Sequence, residues 1–431
     1  MNKHEIRALL GFYRNELTNN LLSFWLPRCA DEKNGGFFNC YDNFGKNLIS
    51  RDKYTWSQGR FVWTFAKLSE MDGGTFTESE RAHFLALAKQ GYEFLRDHVL
   101  LSPDDLRCSF LMDEEGNHKY VDGCTELDMS IYADCFVMLG ASRYAVAAGD
   151  ADAWNFAKKL YQSILDRYET GKYNTLPYPL SPIYKMHGKP MMLTHLACEM
   201  CRAAMKLEPE AKDKFLQDAR RSSDEIFNHF VDENCILREV LYSDYSEIPN
   251  LFGQHINPGH TIEDMWFQLD AADLLGDAPR AKRAAEVARY ALKNAWDEAY
   301  GGYFRFAGIN GGELSGDPGE CADEPQMKDV MKTWDTKLWW PHSEALYTSL
   351  LMYDRTGDEE FFELYKRAEE YVFTKFPNPD RNIREWVQNL NREGNPLTTT
   401  VVLPLKDPYH IMRNVALIIE LLEDMLRRTN Q

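Results

Sequence analysis

Asp31-Glu32-Lys33-Asn34-Gly35-Gly36-Phe37-Phe38 is echoed far downstream by Asp297-Glu298-Ala299-Tyr300-Gly301-Gly302-Tyr303-Phe304. Each copy follows a stretch with helical periodicity and precedes turn-rich residues, so each reads as a strand-and-turn element in the connection after a helix. Leu106 to Met112, ahead of Asp113-Glu114-Glu115-Gly116, has the same form, and a further hairpin is expected between Trp386 and Pro396. Nearly all the rest is helical in pattern. Apolar residues spaced three and four apart predict helices at 4–28, 55–70, 79–98, 127–149, 151–168, 190–207, 210–231, 260–275, 278–297, 338–356, 358–374 and 408–428. These twelve segments come in pairs, with long connections between some of them. Twelve helices in a chain without a seam can close as six hairpins, an all-α toroid. Loops gathered on one rim would then wall a central pocket. An open helical solenoid is the competing arrangement. The segments do not repeat at a fixed period, which weighs against the solenoid.

At 431 residues the chain has length for two or three domains, yet no Pro/Ser-rich linker, low-complexity tract or long charge run divides it; residues 1–431 are read as one domain. Hydrophobic residues make up 44%, enough for a sizeable core. Aromatics reach 13%, a level met in sugar-contacting sites and equally in large cores. The formal charge of −18 argues against nucleic acid or an anionic membrane as partner, since both need basic patches. No apolar run approaches the roughly 18 residues that span a membrane. The nine cysteines are scattered, and Met1-Asn2-Lys3-His4-Glu5 leads into an amphipathic helix with no secretory apolar core. Reduced thiols and a cytoplasmic location are the expectation. Cys198-Glu199-Met200-Cys201 lies inside a helical run without a second pair at zinc-finger spacing, so it reads as structural.

Two histidines sit in one local frame: Asn257-Pro258-Gly259-His260-Thr261-Ile262-Glu263 and Asp407-Pro408-Tyr409-His410-Ile411-Met412-Arg413. Asn or Asp is a good N-cap and Pro the favoured first helical residue, so both histidines are expected in a first helical turn. Glu263 and Arg413 then fall on the same face one turn on. A helix N-terminus disfavours the imidazolium and keeps the ring neutral near neutral pH. Two neutral imidazoles on one pocket suit a two-base proton transfer. Two unrelated helix starts, each with a polar His, fit the spacing as well.

Other clusters carry chemistry with the same ambiguity. In Lys53-Tyr54-Thr55-Trp56-Ser57-Gln58-Gly59-Arg60, Arg60 lies one turn from Trp56. That pair can hold a sugar oxygen against a ring, or place a surface Arg over a core Trp. Lys337-Leu338-Trp339-Trp340-Pro341-His342-Ser343-Glu344 combines an aromatic wall with a carboxylate; adjacent tryptophans face different ways, so one belongs to the core. Glu239 interrupts the apolar run Leu237 to Leu241, either facing a pocket or on the solvent face of an edge strand. No dinucleotide, P-loop, zincin or nucleophile-elbow motif is present, so a cofactor-free reaction is expected.

With these residues the chain resembles the N-acylglucosamine 2-epimerases, the family that includes the renin-binding protein, with cellobiose 2-epimerases in the wider superfamily. The matching motifs are GGFFNCYDNFG at 35–45, KYTWSQGR at 53–60, NPGHTIEDMWF at 257–267, KLWWPHSEA at 337–345, LNREG at 390–394 and YHIMR at 409–413. The resemblance implies an (α/α)6 barrel and a homodimer. It implies an enzyme that inverts C2 of a sugar, N-acetylglucosamine to N-acetylmannosamine, with His260 and His410 as the acid/base pair. Arg60, Trp56, His195, Glu239, Glu263, Trp339, Glu344 and Arg413 would surround the sugar. No cofactor is required; nucleotide (ATP) activation is known of some members, but no nucleotide motif is found here. Two positions depart from the pattern. Met412 replaces a proline, and His195 stands where an acylglucosamine epimerase would have Asn. Relatives acting on cellobiose or free mannose carry His near that point. His195 therefore separates the N-acetyl reading from 2-epimerisation of unmodified sugars or disaccharides, or from aldose–ketose isomerisation. A glycoside hydrolase built on two of the three carboxylates, and a binding module without catalysis, are the readings from other classes.

Overall fold

The computed structural model describes residues 1–177, 179–398 and 403–429. Its helices are α1 (Lys3–Asn15, continued by a π-helical stretch Glu16–Leu22 and a turn Ser23–Trp25), α2 (Thr55–Ser69), α3 (Glu78–His98), α4 (Ile131–Ala148), α5 (Ala151–Thr170), α6 (Gly188–Leu207), α7 (Lys212–Glu225), α8 (Pro258–Leu275), α9 (Ala278–Asn294), α10 (Pro325–Thr333), α11 (Trp339–Thr356), α12 (Glu359–Lys375) and α13 (Tyr409–Arg428).

Burial sorts the long helices into two layers. In α4 the run Ala133 to Ser142 is buried without a break, as a helix packed on every side requires. In α5 only Ala153, Trp154, Ala157, Leu160, Tyr161, Ile164, Leu165 and Tyr168 are buried, the three-and-four spacing of a helix with one wet face. Helices of the first kind, α2, α4, α6, α8, α11 and α13, pack each on the next, and α13 returns to α2. That closes an inner ring. Each inner helix pairs with an outer one: α2 with α3, α4 with α5, α6 with α7, α8 with α9, α11 with α12, and α13 with α1. The apolar core fills the space between the layers. Each fully buried Leu or Phe there contributes about 1.5–3 kcal/mol.

The two ends of the ring differ because the turns differ. Three inner helices end at a left-handed glycine and hand over to an aspartate N-cap: Gly149-Asp150, Gly276-Asp277 and Gly357-Asp358. Glycine alone adopts that backbone freely, and the aspartate satisfies the next helix's open N–H groups. These turns are as short as a helical hairpin allows. All the long connections therefore collect at the other end, where the inner helices begin. There Lys53–Tyr54 pairs with Leu111–Met112, Tyr184–Met186 with Val240–Tyr242, His255–Ile256 with Ala307–Gly308, and Lys337–Leu338 with Asn389–Leu390, all antiparallel. The expected hairpins are present at Leu111–Met112 with His118–Lys119 and around Leu390 and Pro396. The four former pairs instead join neighbouring connections, because both ends of a helical hairpin emerge side by side on this rim.

The echoed Asp31 and Asp297 stretches have one architecture. Asp31 holds the buried Lys53 ammonium at 2.8 Å, and Asp297 holds Lys337 at 2.9 Å. Each lysine immediately precedes an inner helix, so each pair ties a rim loop to a helix start. Lys406 and Glu385 do the same at 2.7 Å ahead of α13. Removing one partner of such a buried pair costs about 3–5 kcal/mol.

The twelve expected helices correspond to the twelve long ones, with shifted ends. The segment read as starting at 127 begins at Ile131, and the one read from 210 to 231 gives way at Ile226 to a π-helical turn. The nine-residue α10 was not expected; it lies in the long loop after α9. No helix among the described residues is long and apolar enough to cross a membrane.

Candidate active site

The N-terminal ends of the inner helices converge on the loop-rich rim, and the candidate residues lie there. Asn257 caps α8, its side-chain oxygen accepting the His260 backbone N–H at 3.3 Å, and Pro258 is the first helical residue, as the frame predicts. The second frame differs by one position. Pro408 is the N-cap and α13 opens at Tyr409, whose N–H donates to the Asp407 side chain at 2.9 Å. The other Asp407 oxygen accepts an ion pair from Arg60, which draws the aspartate away from a regular cap.

His260 directs Nδ1 to Glu239 Oε1 at 2.8 Å. A carboxylate only accepts, so Nδ1 carries a hydrogen. Glu239 is 2% exposed and lies just ahead of the strand Val240–Tyr242, turned inward. Burial opposes its charge, but His260 and His187 outweigh burial and hold the carboxyl down to about 2. His187 Nε2 meets Asp264 Oδ2 at 2.8 Å, and Asp264 Oδ1 accepts from Gln268 at 2.7 Å. Burial disfavours the His187 imidazolium, yet the two flanking carboxylates raise its pKa to about 9.

His410 directs Nδ1 to Glu344 Oε1 at 2.7 Å. That carboxylate also accepts from Arg413, from Asn414 at 2.8 Å and, through Oε2, from the Trp266 indole at 2.9 Å. Arg413 bridges on to Glu263 and lies against the rings of Trp266 and Tyr409. Every oxygen of this buried anion is thus used. Burial, with help from Arg413 and Arg60, pushes the His410 pKa down to about 3, so the ring is neutral. Among the described residues, neither Nε2, of His260 or of His410, has a hydrogen-bond partner.

Trp340 links the two. Its ring lies 5.6 Å from His260 and 5.4 Å from His410, tilted about equally to both. Gly259 makes this fit: a Cβ there would stand 2.3 Å from the Trp340 ring, so no larger residue could precede His260. The adjacent Trp339, the tryptophan expected at the sugar, packs on the core and donates its indole N–H to Asp407 O at 3.1 Å. Its neighbour faces the histidines instead, because consecutive helical residues point about 100° apart. Arg60 lies 4.0 Å over Phe136 and 5.7 Å from Trp56, and the Trp56 indole N–H is buried without a partner. His195 is 2% exposed and stacks on Phe267 at 4.0 Å, one layer below the Arg413 cluster; neither ring nitrogen has a partner. Burial lowers its pKa to about 3.

The structure therefore brings His260, Glu239, His410, Glu263, Glu344, Arg413 and Arg60 to one rim, with Trp339 beside Asp407 at the start of α11, and sets His195 behind it. It adds Trp340, His187 and Asp264. Two groups have donor atoms close enough for a metal ion, His187/Glu239/His260 and Glu263/Glu344/His410. In each, the protein supplies its own cation: the His187 imidazolium, which has no lone pair to offer on a protonated nitrogen, and the Arg413 guanidinium. The arrangement presents two imidazoles, each backed by a carboxylate and each against the ring of Trp340.

A family model described as N-acylglucosamine 2-epimerase (GlcNAc 2-epimerase) matches residues 36–414. The N-acylglucosamine 2-epimerase of Bos taurus is 28% identical over 415 residues, covering 95% of this chain and 90% of its own. The cellobiose 2-epimerase of Ruminococcus albus is 23% identical over 418 residues, covering 93% and 96%. Among solved structures, cellobiose 2-epimerase from Bacillus thermoamylovorans superposes with a TM-score of 0.76 over 96% of this chain and 99% of that one, at 19% identity. That similarity establishes the helical toroid.

Proposed function

We propose, from the premise that this chain belongs to the N-acylglucosamine 2-epimerase family and is a carbohydrate epimerase, that it interconverts N-acetylglucosamine and N-acetylmannosamine by two-histidine proton transfer. The observation that carries the mechanism is the pair of free Nε2 atoms flanking Trp340. The open-chain sugar has an acidic C2–H beside its aldehyde. One histidine removes that proton to give an enol or enediolate, and the other returns a proton to the opposite face. Neutral His410 has a lone pair on Nε2 to take the proton. His260, with the Glu239 anion behind it, is suited to carry a positive charge. Arg60 supplies positive charge where charge develops on O1, while Glu263 and Arg413 orient and tune the histidines. No cofactor takes part in this scheme. The same reading places the enzyme in amino-sugar metabolism, in the cytoplasm and as a homodimer.

The N-acetyl substrate is supported by the 26–28% identity to mammalian N-acylglucosamine 2-epimerases, against 22–23% to cellobiose 2-epimerases. His195 supports the second reading, an epimerase or isomerase of unmodified sugars. Its ring is buried on Phe267, so it would act on the pocket's shape through Phe267 and Trp266 rather than by touching the sugar.

Proton NMR in D2O with N-acetylmannosamine, mannose and cellobiose in separate tubes tests both. Deuterium entering C2 as N-acetylglucosamine forms is the expected result. Exchange confined to mannose or cellobiose keeps the two-base chemistry and discards the N-acetyl assignment. In that case His195→Asn should move selectivity toward N-acetyl sugars.

A further inference from the structure

Behind His260 runs a buried chain that the epimerase reading does not use. From the sugar side inward it is His260 Nδ1 to Glu239 Oε1 at 2.8 Å, Glu239 Oε2 to His187 Nδ1 at 3.8 Å, and His187 Nε2 to Asp264 Oδ2 at 2.8 Å. Asp264 is held in turn by Gln268, which accepts from Ser223. His187 and Asp264 are wholly buried, and Glu239 Oε2 and His187 Nδ1 face each other with no other hydrogen-bond partner. The His187 backbone N–H also donates to the Glu239 carbonyl at 3.0 Å, so both ends of His187 are fastened to the Glu239 segment. The remaining titratable neighbours are His255, which burial keeps below its usual pKa, and the Tyr132 hydroxyl, which burial keeps protonated.

We propose that His187, locked as an imidazolium between Asp264 and Glu239, is a positioning residue for the acid/base histidine His260. It keeps Glu239 ionised with Oε1 on His260 Nδ1, and so holds His260 in the one tautomer that presents Nε2 to the sugar. Two isolated carboxylates this close would repel, and one would take a proton; a protonated Glu239 could donate to Nδ1 and reverse the tautomer. The cation between them removes that alternative. The inference rests on the two-histidine reading for its catalytic consequence, but the charge and tautomer states do not.

Nitrogen NMR of the histidine-labelled full-length protein tests the states directly. Near pH 8 His187 is expected doubly protonated and His260 protonated at Nδ1 only, since the His187 pKa is raised to about 9. A neutral His187 there overturns the proposal, whatever sugar the enzyme takes. Kinetics tests the consequence. His187→Asn should lower kcat about 10–100-fold with KM little changed. It should also move the acidic limb of the kcat/KM profile upward, because without the cation Glu239 takes up a proton at higher pH and the working tautomer of His260 is lost with it. Asp264→Asn, which preserves side-chain volume, should lower the His187 pKa in the same spectra. A loss of kcat in both variants with the limb and the His187 protonation unmoved means that these residues only pack, and the proposal falls. If the wild type exchanges no C2 hydrogen with any sugar, the epimerase reading falls instead, and the nitrogen spectra still decide the positioning role.

Discussion

His260 and His410 occupy matching sequence frames, yet 29% of the His260 side chain is exposed and only 10% of that of His410. His260 is backed by a chain in which a carboxylate is followed by a second histidine and a second carboxylate. His410 is backed by Glu344, which also takes an arginine, an asparagine and an indole, with Glu263 farther off at 3.6 Å. The first support holds its positive charge on the His187 imidazolium; the second holds it on the Arg413 guanidinium. An epimerase must accept a proton on one face of C2 and deliver one on the other. Two like imidazoles therefore stand on unlike supports.

The largest test of that difference is removal of each ring. His260→Ala and His410→Ala should each cost about 10²- to 10⁴-fold in kcat, read as the rate of deuterium entry at C2. Retained activity in either variant breaks the pairing. Next comes Glu344→Gln. It leaves the buried Arg413 with Glu263 alone, so urea denaturation should show a loss of about 3–5 kcal/mol. A loss below about 1 kcal/mol would show that the Arg413 cluster rearranges freely.

The pH dependence separates the supports by sign. The folded-state pKa of His187 is raised to about 9 from 6.5, so its stabilisation is complete below about pH 6.5 and is lost as pH rises through 9. That of His410 is lowered to about 3, so the unfolded chain takes a proton the folded one refuses, and stability is lost as pH falls from 6.5 toward 3. Melting temperature against pH should therefore flatten on the alkaline side in His187→Asn and on the acid side in His410→Asn. Parallel curves for both variants and the wild type would remove the distinction. The smallest effect belongs to the shared element. Trp340→Phe keeps a ring between the histidines and should raise KM by about 2- to 10-fold, as the loss of about 0.5–1.5 kcal/mol of aromatic contact implies.

The helices were legible because each long one announces its layer through periodicity, and because Asn257-Pro258 is a local signal with a local cause. α10 was not, since nine residues in a long loop give too short a window for a period to stand out. Glu239 was named from sequence because it interrupts an apolar run, and Glu344 because it follows a tryptophan pair at a helix start. His187 and Asp264 escaped: they meet across 77 positions, and a lone histidine ahead of a helix has no local signature. Trp339 and Trp340 were inseparable by composition. Only the facing of α11, set by its packing on α8 and α13, decides which indole reaches the histidines.

Pairing α1 with α13 has a topological consequence. Arg428 reaches Asp354 at 2.6 Å, and the Met1 amino group contacts Tyr353, so both described ends of the chain meet at the foot of α11. The ring thus has a seam in the polypeptide but none in space. Joining the two ends with a short linker and opening the chain at one of the Gly-Asp turns should yield a circular permutant with the same barrel. Because those turns lie at the end opposite the histidines, the relocated ends would leave the loop-rich rim intact.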